Sequence, residues 1–171
     1  MEIIKGSLIT LAKEGKFDVI AHGCNCFCTM GAGLAPQMAK AFGTDEFFLE
    51  QEKYRGDFNK LGQIDYERRF IIDSGLVYHL PQNRSDIKEI SIVNCYTQYG
   101  FGSNHTGGTK QPLDYTALTM CFKKLNHEFK GKHIGLPWIG CGLAGGDIKI
   151  VRKLIENCFS DCQITLVEYD R

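Results

Sequence analysis

Two segments of this chain share one design: an apolar, strand-like run ends in small residues and restarts as a helical pattern. The first runs from Phe17 to His22 and on through Gly23-Cys24-Asn25-Cys26-Phe27-Cys28-Thr29-Met30-Gly31-Ala32-Gly33. The second runs from Ile134 to Pro137 and on through Trp138-Ile139-Gly140-Cys141-Gly142-Leu143-Ala144-Gly145-Gly146-Asp147, with four glycines in residues 140–146. A strand that passes into a helix through small residues leaves unpaired N–H groups at the positive helix end, with no side chain blocking a ligand. Each junction alone is also consistent with a tight turn. Together they allow two loops at two strand ends to grip one diphosphate. They also demand strands that alternate with helices, so the function belongs in the loops at the strand ends.

The remaining pattern agrees with an α/β chain. Glu2 to Lys5 reads as a strand, and Gly33 to Phe42 as a helix with Leu34, Met38 and Ala41 at helical spacing. Thr44 is placed to cap a second helix running through Phe47, Phe48 and Glu52 towards Tyr54. Gly62 to Tyr66, Phe70 to Ile72, Val77 to Leu80 and Ile90 to Thr97 are strand candidates, and Gly100 to Gly108 is an irregular connection. Leu113 to Phe129 and Ile148 to Phe159 read as helices, and Ile164 to Tyr169 as the last strand. Asp147 stands where a carboxylate caps a helix. The expected architecture is one three-layer α/β/α domain over residues 1–171, with a mixed central sheet and one ligand cleft.

Charge and cysteine usage narrow the partners. Lys+Arg and Asp+Glu both number 20, which argues against a nucleic-acid partner held by a diffuse basic field. No run approaches the roughly 18 apolar residues of a membrane helix. Residues Met1 to Thr10 show no cleavable leader pattern. The eight cysteines include the alternating Cys24, Cys26 and Cys28, which lack zinc-ligand spacing, and Cys158 and Cys162, which lack further ligands nearby. Reduced thiols, a cytoplasmic location, no metal, no cofactor and a monomeric, small-molecule-binding protein are the expectations.

In combination, these motifs resemble a macro domain, and within that superfamily the ADP-ribose-1''-phosphate phosphatases of the yeast and phage type. The resemblance rests on Lys5-Gly6-Ser7-Leu8-Ile9, on His22 to Gly33, on Pro137 to Gly146, and on Cys95 to Gly102 with His105, Lys110 and Tyr115. It covers nearly the whole chain. It implies that Ser7 and Leu8 contact adenine, with Ser7 standing in place of the family's Asp. It places Asn25 and the loop Gly31, Ala32, Gly33 and Leu34 around the distal ribose. It assigns Ile139, Gly140, Cys141, Gly142, Leu143, Ala144 and Gly145 to the diphosphate.

The resemblance further implies catalytic roles for His22, Asn25 and Asp147. For His22 a hydrogen-bonded core histidine is an equal reading, for Asp147 a plain helix cap, and for His105 a solvated loop position. Tyr169 could stack on adenine or be an ordinary strand tyrosine. Three activities fit one such cleft: release of phosphate from ADP-ribose 1''-phosphate, removal of ADP-ribose from a modified macromolecule, and binding of ADP-ribose without reaction.

Overall fold

The computed structural model describes residues 1–73, 75–80, 82–105 and 109–169. Its centre is a seven-stranded sheet built from β1 (Glu2–Lys5), β2 (Val19–Asn25), β3 (Ile64–Ile72), β4 (Gly75–Val77), β5 (Lys88–Gln98), β6 (His133–Leu136) and β7 (Gln163–Glu168). The spatial order is β1-β7-β6-β2-β5-β3-β4. The first five in that order run parallel, and β3 and β4 add an antiparallel margin. The sheet is therefore mixed, as expected.

Four helices complete the layers among the described residues: α1 (Leu8–Lys13), α2 (Ala35–Phe42), α3 (Tyr115–Glu128) and α4 (Ile148–Cys158). Leu8 and Ala12 of α1 and Met38 and Phe42 of α2 pack with Ile20, Ile92 and Phe17 on one face of the sheet. Leu118, Phe122 and Leu125 of α3 and Val151 and Ile155 of α4 pack with Val19, Ala21 and Val93 on the other. Alternate residues of β2 and β5 thus feed two cores, which is why these central strands are nearly continuous in apolar character.

Several boundaries differ from the sequence expectation for identifiable reasons. Helix α2 starts at Ala35, because Gly33 sits at φ 70° in the left-handed region and Pro36 lies in the first turn. Gly43, at φ 66°, ends it. Thr44 is fully buried and does not cap a long helix; single 3-10 turns at Phe48–Glu50, Glu52–Tyr54 and Phe58–Lys60 follow instead. The strands expected at 62–66 and 70–72 form one strand, β3. Its charged centre hides this: Arg69 is buried, donates to the Phe42 carbonyl at 2.9 Å and lies over the rings of Phe47 and Tyr78. Only 75–77 of the region around Val77 to Leu80 forms a strand. Helix α1 escaped the sequence reading altogether. The expected loop at 100–108 contains a turn at Gly102–Asn104, and residues 106–108 of it lie outside the described residues.

Candidate functional site

The cleft opens where the parallel strands end, at the edge where α/β sheets hold ligands. Three adjoining compartments follow one another along it. One of about 600 Å3 lies at the ends of β1 and β7, beside Ser7, Leu8 and Tyr169. A middle one of about 230 Å3 lies between the two glycine loops, bounded by Ala32 to Ala35 and by Pro137 to Gly140. A third of about 440 Å3 lies at the ends of β2 and β5, beside Asn25, Gly31, Gln98 and Phe101. The middle compartment shares Gly33 and Leu34 with the first and Ala32 and Leu143 with the third.

The first loop presents backbone. Helix α2 has Leu34 as its N-cap residue, with no side-chain cap, and Pro36 in its first turn carries no N–H. The N–H groups of Ala35 and Gln37 are thus left without an intrahelical partner at the positive helix end, beside the middle compartment that Gly33 to Ala35 border. The second loop divides its glycines between packing and access. A Cβ on Gly140 would stand 2.5 Å from Leu113 Cδ1, and the residue has φ 77°; this glycine is needed for close approach. Gly142 has no atom within 4 Å of its Cβ position and borders two of the compartments. Its neighbour Leu143 is 78% exposed and overhangs the middle and third compartments.

His22 lines the middle compartment but is 1% exposed. Its Nε2 lies 2.8 Å from Asn94 Oδ1. Burial lowers its pKa to about 4, against a smaller opposing effect from the Asn94 hydrogen bond. The imidazole is therefore neutral at pH 7. Its Nδ1 has the Cys24 sulfur 3.9 Å away.

Asn25 faces the third compartment, and its amide is already at work. Oδ1 accepts from the N–H groups of Phe27 and Thr29 at 3.0 and 3.2 Å, while Nδ2 donates to the Thr29 carbonyl at 3.0 Å. The side chain thus ties residues 25–29 into a turn that includes Cys28 at φ 58°. Behind the turn, buried Lys60 donates to the Cys26 carbonyl at 3.0 Å and to Cys28 Sγ at 2.8 Å. The Cys28 thiol is nevertheless pushed up to about 11, chiefly by burial, so it is not an activated nucleophile.

Most residues singled out from the sequence meet here: Ser7, Leu8, His22, Asn25, Gly31, Ala32, Gly33, Leu34, Ile139, Gly140, Cys141, Gly142, Leu143 and Ala144 all border one of the three compartments. Gly145 does not; at φ 72° it closes a turn onto the Gly142 carbonyl at 3.0 Å. Asp147 does not border them either. It caps α4, accepting from Lys149 N at 2.7 Å, and its own N–H donates to the Tyr115 hydroxyl at 2.8 Å. His105 does not border the compartments either, but hydrogen-bonds the carbonyl of Gly102, which lines the third compartment. The sequence reading overlooked Glu168, and gave no role to Gln98 and Phe101 although both lie in the stretch Cys95 to Gly102 that carries part of the resemblance. Phe101, 45% exposed between two glycines, was the most visible of these.

No group of three or more His, Cys, Asp or Glu side chains suited to a metal ion occurs among the described residues. No described helix is long and apolar enough to cross a membrane.

No family model matches the chain. A protein of Enterobacteria phage T4, described as an uncharacterized 17.5 kDa protein in the tk-vs intergenic region, is 33% identical over 178 residues, spanning 99% of this chain and 97% of that protein. A macrodomain protein from Streptomyces coelicolor superposes with a TM-score of 0.60 at 21% identity over 99% of each chain. Thermosipho africanus DarTG, solved in complex with ADP-ribose, gives a TM-score of 0.68 at 13% identity over 99% of this chain and 42% of that one. The chain belongs to the family of the phage T4 protein, and its fold is that of a macro domain.

Proposed function

We propose that this chain binds ADP-ribose along the cleft and hydrolyses ADP-ribose 1''-phosphate to ADP-ribose and phosphate. The observation that carries the reading is the middle compartment: an uncapped helix start and a glycine loop face each other there, between two larger compartments. A diphosphate suits the middle, a nucleoside the compartment beside Ser7 and Tyr169, and a second sugar the compartment beside Asn25. The complex of a structural neighbour with ADP-ribose is consistent with this assignment.

In the proposed reaction His22 acts as a neutral imidazole. Nε2 is committed to Asn94, and Nδ1 accepts the proton of a water that attacks phosphorus. The bond from phosphorus to the C1'' oxygen breaks, and that oxygen leaves with the electron pair and takes the proton back from the His22 imidazolium to give the ADP-ribose hydroxyl. Loop N–H groups stabilise the charge gathering on the phosphoryl oxygens. Asn25 contributes by holding the turn that shapes the ribose compartment.

The test is incubation with ADP-ribose 1''-phosphate, monitored for inorganic phosphate, beside calorimetry with ADP-ribose and AMP. Phosphate release, one ADP-ribose site per chain and much weaker AMP binding are expected. Equal affinity for AMP and ADP-ribose would contradict the two-loop site. Release of ADP-ribose from a modified protein or nucleic acid without phosphatase activity would assign the same cleft to a different hydrolysis. Tight ADP-ribose binding with no turnover would make the chain a reader.

A further inference from the structure

We infer that Glu168 reads the 6-amino group of the base and so selects adenine among purines. The inference rests on the ADP-ribose reading above. The 600 Å3 compartment offers Leu8, Ile148 and Tyr169 to a flat ring, the last of these 70% exposed. Such contacts supply area but do not distinguish one purine from another. Discrimination requires a polar group held in place, which is left unpaired by the wrong base.

Besides the Trp138 indole, the Cys141 thiol directed at the Ile139 carbonyl and the hydroxyl of the exposed Tyr169, three polar side chains border the compartment: Ser7, Gln37 and Glu168. Two are occupied locally. Ser7 Oγ accepts from Thr10 N at 3.3 Å as the cap of α1, and Gln37 Nε2 donates to the Gly33 carbonyl at 3.1 Å. Glu168 is different. Trp138 Nε1 donates to its Oε1 at 3.0 Å, and Gly6 N donates to its backbone carbonyl at 2.8 Å. Its Oε2 receives no hydrogen bond from any described residue. The carboxylate is thus oriented by an indole on one oxygen, with the other open.

A carboxylate accepts hydrogen bonds and donates none. Its complement on a purine is an exocyclic amino group, to which the hydrogen bond is charge-assisted. A purine with hydrogen at C6 leaves the oxygen unmatched, and one with a carbonyl at C6 sets acceptor against acceptor at that position, its nearest donor displaced to N1–H.

Calorimetry on the wild-type chain and Glu168→Gln, with ADP-ribose and its purine (hydrogen at C6) and hypoxanthine analogues, tests the assignment. The wild type should bind ADP-ribose about 10-fold or more tighter than the purine analogue, the scale of one lost hydrogen bond to a charged group. In E168Q the amide oxygen can still accept from Trp138, which turns the amide N–H2 towards the base. ADP-ribose should then weaken by about 10-fold while the hypoxanthine analogue gains, so that the preference closes or inverts. Equal wild-type affinity for ADP-ribose and the purine analogue overturns the role of Glu168 while leaving the ADP-ribose site intact. Unchanged preference in an E168Q chain with wild-type melting behaviour overturns it as well. Failure of the wild type to bind ADP-ribose at all overturns both the site reading and this one.

Discussion

His22 and Asn94 share a 2.8 Å hydrogen bond whose direction is set from the Asn94 side. Asn94 Nδ2 is spent on the Thr44 carbonyl at 2.9 Å and Glu50 Oε1 at 3.3 Å. Its Oδ1 is therefore the acceptor, His22 Nε2 carries the proton, and Nδ1 is unprotonated, with the Cys24 sulfur 3.9 Å away. With a pKa of about 4, the imidazole is a weak base, and its loss should cost about 100-fold, the lower end of general-base effects. We expect His22→Gln, which can still donate to Asn94, to lower phosphate release by that factor while ADP-ribose affinity changes little. The contribution of His22 to the wild-type rate should be flat from pH 8 to 5 and fall near pH 4. A wild-type rate in a folded H22Q chain would remove His22 from the mechanism.

The same burial has a stability consequence of defined sign. The unfolded imidazole takes up its proton near pH 6.5 and the folded one only near 4, so between those values the unfolded chain binds more protons. Stability due to neutral His22 is complete above about pH 6.5 and drains as pH falls to 4, by about 3 kcal/mol in all. Melting temperature measured from pH 7 to 4 should therefore fall less steeply in H22Q than in the wild type. Parallel curves would show that His22 is not the group responsible.

Gly142 separates access from folding. Unlike Gly140 and Gly145, it has no positive φ, and its Cβ position is open. Gly142→Val should fold with nearly wild-type stability and lose ADP-ribose affinity, because the side chain projects into the space between the first and middle compartments. The same substitution at Gly140 should instead destabilise the chain, since it drives a β-branched group into Leu113. Calorimetry and melting curves on the pair decide the matter. A folded G142V chain with unchanged affinity would reduce this loop to a turn.

The parts of this molecule that the sequence displays are those governed by short-range pattern. Strands β2 and β6 announce themselves as apolar runs, and the glycine clusters after them mark the two loops, although the sequence does not tell the packing glycine Gly140 from the open Gly142. The six residues of α1 make less than two turns, too few for a helical period to emerge. Phe47, Phe48 and Tyr54 mimic that period, yet Phe47 is buried while Phe48 is 56% exposed on short turns. Glu50 and Lys60 look like solvated charges in sequence, but both are buried, with partners at Asn94, Tyr96, Cys26 and Cys28 that only tertiary structure supplies. Gln98 and Glu168 join the site for the same reason: they end strands whose neighbours are distant in sequence.

Asn25 tests whether a turn can matter as much as a contact. Its side chain makes three hydrogen bonds within residues 25–29, so Asn25→Ala should loosen the wall of the third compartment. We expect weaker ADP-ribose binding and slower phosphate release together, with a melting temperature lowered by a few degrees, as for the loss of about 1–2 kcal/mol. Asn25→Asp keeps both acceptor bonds but sets a carboxylate oxygen against the Thr29 carbonyl at the place of a 3.0 Å hydrogen bond, so it should restore only part of the stability. If N25A weakens binding with no change in melting temperature, the amide acts on the ligand directly and not through the turn.

Asp147 offers the sharpest contrast between a capping and a catalytic carboxylate. Its Oδ1 satisfies the Lys149 N–H at the start of α4, its φ of −83° and ψ of 121° are those of a cap residue, and none of the three compartments touches it. Asp147→Ala should therefore cost about 1 kcal/mol of stability and leave phosphate release within about 2-fold of wild type, far short of the roughly 100-fold loss of a general acid or base. Asp147→Ser keeps a hydroxyl able to accept from Lys149 N, so it should restore the melting temperature without a carboxylate. Turnover in the serine variant is the decisive measurement. A restored melting temperature with a rate still lowered about 100-fold would mean that the carboxylate itself takes part in the reaction, and that the cleft closes over α4 when substrate binds.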